Sequence, residues 1–268
     1  MKKTYYPRLD ETLCTKVLPN GLTVIVVPKP GFRRKIAYFM TNYGAVHTAF
    51  TLDGRHYTTP AGVAHYLEHK LFDLPGRDVT EEFATLGAIP NAFTGYDMTA
   101  YYFSCTENFE GCLRLLLEFV STPYFTEESV AKEQGIIGQE IGMIEDNPEW
   151  VVYKRLMQAL YEKSPARVSV AGSVESIAQI TAQTLYDCHK AFYTPSNMIL
   201  TVVGDVDPVR IADIARSILP REGGAVIARD YGEEPEEVAY RESSISMEVS
   251  SPQFLTGFKC RPAKGGEE

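Results

Sequence analysis

The sequence predicts an α+β fold in which helices pack over a mostly antiparallel sheet, and three observations carry that reading. A hairpin signature stands near the start, where Asn20-Gly21 separates the two β-prone runs of "TKVLPNGLTVIVVPKP". A second strand pair, "NAFTG" and "MTAYYFSC", turns at Gly95. Between that pair and a late apolar strand, "NMILTVVGDVDP", lies a long stretch of helical periodicity.

Taken in order, "KIAYFMTNYGA" follows the hairpin as a further strand, and helical material begins near Gly62 and resumes over residues 80–86. The long helical region divides into 108–120, 127–144, a segment entered by Asn147-Pro148 as N-cap and first helical position, and 178–192. Gly204-Asp205 ends the apolar strand, and a helix starts at about Pro208. The charged, weakly periodic run "LPREGGAVIARDYGEEPEEVAYRESS" reads as a linker. After it, "SPQFLTGFKCRPA" has the apolar character of a strand, and a strand needs a sheet. The expected division is therefore one domain over 1–222 and, over 223–268, a linker with the start of a truncated second domain.

Composition narrows the function classes. The 268 residues are 44% hydrophobic and 23% charged, as in a globular protein with a sizeable core. Lys and Arg number 26 against 35 Asp and Glu, a formal charge of −9, which is the wrong sign for a general binder of nucleic acid or anionic membrane. The opening "MKKTYYPRLDETLC" has no apolar run behind its lysines, and no segment approaches membrane-spanning length, so a cytoplasmic protein is the simplest expectation. Cys14, Cys105, Cys112, Cys188 and Cys260 are odd in number, scattered and without CxxC spacing, which suggests neither a disulfide framework nor a thiolate zinc site.

The chemistry concentrates in "AHYLEHKLF", residues 64–72. On a helix His65 and His69 lie one turn apart and rise from one face, close enough to hold one metal ion, with Glu68 beside them. Val63, Ala64, Leu67 and Leu71 share one arc, which should anchor the helix in the core. His65, Glu68, His69 and Phe72 occupy another, which should look into a cavity. A single histidine on such a face is ordinarily a solvated or capping residue, but H-x-x-E-H is rare by chance. A catalytic zinc site takes three protein ligands and leaves one position open, so a third ligand is needed from His47, His56, His189 or a carboxylate. In "VAKEQGIIGQEIGMI", Glu133 and Glu140 interrupt an apolar stripe formed by Val130, Ile136, Ile137, Ile141 and Ile144. A buried carboxylate there would pair with a cation, take up a proton or bind a metal.

H-x-x-E-H, then "PNAFTGYDMTAYYF", "EQGIIGQEI" and "FYTPSNMILTVVGDVD", together resemble the N-terminal half of the M16 zinc metallopeptidases, the insulinase, pitrilysin and mitochondrial-processing-peptidase group. Within that group "HKLF", "GIIGQEI", "DNP" and "PSNM" are most similar to bacterial M16 peptidase-like proteins of the YmfH type. The resemblance implies the LuxS/MPP-like architecture and Zn2+ held by His65, His69 and Glu140. It further implies Glu68 as catalytic base, Glu133 supporting the site, and substrate held along a strand edge that includes Asn91 and Ala92. From residues alone Asn91 is as well explained as a turn residue entering its strand. The interval from His69 to Glu140 is shorter than is usual across the wider family.

The activity implied is endopeptidase hydrolysis of peptides by metal-activated water. The expected partners are a peptide substrate and the C-terminal half of the full-length protein or a second M16-like subunit, with an exposed apolar face that favours a homo-oligomer. Two other readings follow from the same motifs. One is a noncatalytic M16-like scaffold or peptide-binding subunit. The other is a LuxS-like metalloenzyme, in which Cys105 or Cys112 would be the third ligand.

Overall fold

In a computed structural model, residues 1–225 and 227–260 are described. Asn20-Gly21 lies in the corner between β2 (Glu11–Val17) and β3 (Thr23–Pro28), which pair antiparallel with Val17 opposite Thr23. A strand not anticipated, β1 (Lys2–Tyr6), adds to the outer side of β2. The run from Lys35 forms β4 (Lys35–Thr41). It is followed by a small hairpin, β5 (Ala49–Leu52) and β6 (Arg55–Thr58), also absent from the sequence reading.

The motif helix is α1 (Val63–Leu71); a minimal ladder, β7 (Asp73–Leu74) with β8 (Arg77–Asp78), leads into α2 (Val79–Thr85). The second strand pair is β9 (Ala88–Thr94) and β10 (Thr99–Cys105). The long helical region contains α3 (Phe109–Ser121), α4 (Glu127–Glu145) and α5 (Pro148–Leu160), the last capped by the Asn147 side chain as expected. The helix expected over 178–192 begins later. Ser173 and Ser176 form a capping box on a short α6 (Val174–Ile177), and Thr181 caps a separate α7 (Ala182–Phe192). Then come β11 (Met198–Gly204), α8 (Pro208–Ile218) and β12 (Ala228–Asp230), which pairs with β5.

The main sheet runs β1-β2-β3-β11-β4-β10-β9. Its one parallel pairing, among the described residues, is β11 with β3, so the expected α+β class with a mostly antiparallel sheet is the one observed. Burial accompanies the order: β11 is central and β10 lies inside the β9 edge, with Leu200, Val202, Tyr101 and Phe103 fully buried, whereas β9 and β1 are the edges. Helices α1 and α3 lie on β10, and α1 also touches β9, α4 and α7. That position brings the motif helix to the free-edge end of the sheet.

The strand expected at residues 253–260 is absent, and residues 261–263 of the same run lie outside the described residues. Among the described residues no strand pairs with this segment. Instead the chain beyond β12 runs along α5: Tyr240 N–H donates to the Ala159 carbonyl at 2.9 Å, Arg155 Nη1 donates to Ser243 Oγ at 3.0 Å, and Lys259 Nζ meets Glu234 Oε1 at 2.7 Å. Of the stretch 223–268 expected as linker and second-domain start, Val226 and residues 261–268 are likewise outside the description. No helix among the described residues is long and apolar enough to cross a membrane.

Candidate metal centre

The start of α1 is fixed by two glycines packed against each other's loops. A Cβ on Gly62 would fall 2.7 Å from the Ala171 carbonyl oxygen, and one on Gly172 would fall 2.6 Å from that of Ala61; both residues have positive φ, 94° and 77°. Only glycine satisfies both conditions. The arc of Val63, Ala64, Leu67 and Leu71 is buried as expected, and Tyr66 and Lys70 join it, the Lys70 ammonium meeting Asp73 at 2.6 Å. Tyr66 Oη donates to the Val130 carbonyl, tying α1 to α4. Gln134 Nε2 donates to the Ile177 carbonyl at 3.2 Å and ties α4 to α6. Phe72 departs from the expected cavity-facing arc: beyond the last turn of α1 it packs on Phe119 and Tyr101.

These ties bring His65, His69 and Glu140 together, with one ligand atom from each lying within 4.8 Å of the others. His65 Nε2 is 3.5 Å from Glu140 Oε1 and His69 Nε2 is 3.4 Å from Glu140 Oε2. Despite the short interval from His69, α4 delivers Glu140 because it runs back across α1. Glu133, two turns earlier, accepts the His69 Nδ1–H at 3.0 Å. That bond places the imidazole proton on Nδ1 and leaves the Nε2 lone pair facing Glu140. Burial opposes protonation of His69, but the Glu133 hydrogen bond and the charges of Glu133, Glu68 and Glu140 outweigh it and raise its pKa. The hydrogen bond and charge of His65, with the charge of His69, hold the Glu140 carboxyl below the usual range. Glu68 accepts a hydrogen bond from Thr94 Oγ1 at 2.5 Å.

Neither Glu133 nor Glu140 meets a Lys or Arg among the described residues, so their partners are the two imidazoles. Two neutral nitrogens and one carboxylate converging on a common point suit Zn2+ in chemistry and number, with a coordination position to spare. The other histidines are elsewhere. His47 is buried, its Nδ1 accepting from Gly44 N–H at 2.9 Å and its Nε2 3.0 Å from Tyr231 Oη; His189 Nε2 bonds the Val120 carbonyl at 3.0 Å; His56 is exposed. Cys105 and Cys112 are buried on β10 and α3, outside the cluster, which removes the ligand expected of a LuxS-like site.

The cluster opens on a cavity of about 960 Å³ lined by His65, Glu68 and Glu140 and by Ala92 of β9. Asn91 is exposed on the outer edge and does not line it; its Oδ1 accepts the Ala92 N–H at 2.8 Å. Sequence reasoning missed the far wall, which α5 and the turn after it supply through Trp150, Tyr153 and Arg167. It also missed Thr94. The Asn147 cap announced α5, but no periodicity could say which of its faces would meet α1.

Comparison with known proteins places the chain among relatives. Residues 53–174, which contain His65, His69 and Glu140 as well as Glu68 and Glu133, match the insulinase family, peptidase family M16, and residues 179–267 match the peptidase M16 inactive domain. The chain is 44% identical, over its whole length, to a Bacillus subtilis protein named uncharacterized zinc protease YmfH, and spans 64% of that protein. A relative named uncharacterized zinc protease from Rickettsia felis is 28% identical over 78% of the chain and 50% of its own length. A solved M16-like peptidase from Alicyclobacillus acidocaldarius superposes with a TM-score of 0.82 at 41% identity, over 86% of this chain and 55% of that one. The first half of the periplasmic protease PqqL from Escherichia coli shares the fold at a TM-score of 0.67 and 24% identity, over 82% of this chain and 48% of that one. The chain therefore spans roughly half to two thirds of the relatives it matches.

Proposed function

From the premise that the chain belongs to the M16 peptidase family, we propose that it is the metal-bearing half of a zinc-dependent endopeptidase. The observation that carries this reading is the convergence of His65 Nε2, His69 Nε2 and the Glu140 carboxylate. These three residues would hold zinc. When bound there, the metal supplies Lewis acidity, which brings a water toward ionisation near neutral pH and polarises a scissile carbonyl. Glu68, on the same helix face and not among the ligands, takes the proton from the attacking water and passes it to the leaving amine. The Thr94 hydroxyl at 2.5 Å orients the Glu68 carboxylate for that transfer. Glu133 fixes the tautomer of His69 through Nδ1.

Strand β9 is the edge of the main sheet, and its outer side has no strand partner among the described residues. An extended peptide laid along it would be read through backbone hydrogen bonds, with Asn91 turning its side chain away from the Ala92 N–H to admit the new strand. The rest of the enzyme, whether a C-terminal half or a second M16-like subunit, would close over that peptide.

Metal analysis of the purified chain tests the proposal at its base. The expected content is about one zinc per chain, with a sharp fall in His65→Ala, His69→Ala and Glu140→Ala. Full retention of zinc by all three variants would remove the site. A mixed peptide library, digested by the chain joined to its second half, tests the activity.

A further inference from the structure

The cavity beside the metal cluster contains a cation that forms no ion pair among the described residues. Arg167 closes a short turn after α5, Pro165–Arg167, and its side chain lines the cavity with His65, Glu68, Glu140, Trp150 and Tyr153. The backbone beneath it is held firmly. Glu234 accepts N–H bonds from Glu162, Lys163 and Ser164 at 2.9, 2.7 and 2.6 Å, and Arg167 N–H donates to the Ser164 carbonyl at 3.1 Å. Lys154, the other cation of this cavity, is neutralised by Glu145 at 3.2 Å.

The carboxylates of the cavity are otherwise engaged or distant. Glu140 faces His65 and His69, Glu68 takes the Thr94 hydroxyl, and Glu149 is exposed on the first turn of α5. Among the described residues no carboxylate forms an ion pair with Arg167. Arg167 is partly buried, and its fork of N–H donors matches a carboxylate.

We propose that Arg167 selects peptides that place a carboxylate in this cavity, either an Asp or Glu side chain or a free C-terminus. The inference rests on the peptidase reading above and gives that site a substrate preference.

Trp150 is the chain's single tryptophan and lines the same cavity, so its fluorescence reports occupancy without any turnover. Zinc-loaded Glu68→Gln protein is titrated with short peptides in which Glu or Gln stands at each position in turn, each with a free or an amidated C-terminus. The carboxylate-bearing peptides of the matching class should bind on the order of tenfold more tightly than their amide counterparts. Arg167→Met in the same background should erase that difference, and Arg167→Lys should retain part of it. Which series carries the advantage identifies the source of the carboxylate. Peptides that perturb Trp150 without preferring a carboxylate, or a preference that survives Arg167→Met, overturn the role of Arg167 and leave the peptidase reading standing. Absence of any fluorescence response to any peptide overturns the role of Arg167, and the peptidase reading falls with it only if the chain joined to its second half also cleaves none of those peptides.

Discussion

Glu68 and Glu133 are carboxylates that both act on His69, yet their hydrogen bonds give them different work. Glu133 takes the ring N–H of His69, whereas Glu68 is held by a hydroxyl. Glu68→Gln should therefore keep its zinc and, in the assembled enzyme, lose about 10²–10⁴ in turnover. Glu133→Gln should instead weaken zinc binding by roughly 10–100-fold. Competition against a chromogenic chelator separates the two, and loss of metal from Glu68→Gln would reverse the assignment. A second residue-scale prediction concerns His189, which burial keeps neutral, lowering its pKa from 6.5 to about 4. The unfolded chain takes up this proton near 6.5 while the folded chain waits until about 4, so this histidine subtracts stability as pH falls through that window. The gap in denaturant midpoint between the parent and His189→Gln should narrow from pH 6.5 to 4. A constant gap would show that the ring does not titrate differently on folding.

At the scale of elements, α4 couples packing to metal binding. Ile137 is fully buried between Glu133 and Glu140 on one helical stripe, and Ile136, assigned to the same stripe by periodicity, is 49% exposed. Ile137→Ala should cost about 2–5 kcal/mol and lower zinc affinity with it, because the same face presents both carboxylates. Ile136→Ala should fall within about 0.5 kcal/mol of the parent. Denaturation and zinc competition on both variants check this, and equal losses would contradict the packing. The stripe was legible because a 3.6-residue period needs no tertiary knowledge, but its limit was not, since that depends on where α1 ends. For the same reason the hairpins at Asn20-Gly21 and Gly95 were readable from local turn chemistry. Strands β1, β5, β6 and β12 were not: they are short, and β12 finds its partner in β5 far earlier in the chain. The late start of α7 had a local signal, Thr181 three residues before Thr184, which the apolar pattern overrode.

At the scale of the molecule, the two histidines, Glu68 and the two glutamates of α4 could be found because each pair lies on one helix at a fixed spacing. The cavity wall could not, since α5 and its following turn reach the cluster only through the fold. That wall faces a cleft beside the β9 edge, which is unpaired among the described residues, and the chain covers 64% or less of the relatives it matches. An enclosing second half would position the peptide, exclude water and offer donors to the oxyanion formed on attack. Loss of one such donor costs about 10²–10³ in rate, and loss of positioning adds to it. The isolated chain should thus bind zinc fully and cleave peptides weakly or not at all, and a second M16-like half, fused or added in trans, should raise turnover per zinc by at least about 10². Fluorogenic-peptide assays with and without that half, each with its Glu68→Gln control, measure the ratio. Robust Glu68-dependent hydrolysis by the monomeric chain alone would mean that the helices and the β9 edge already complete the site, and that the second half serves substrate size and not chemistry.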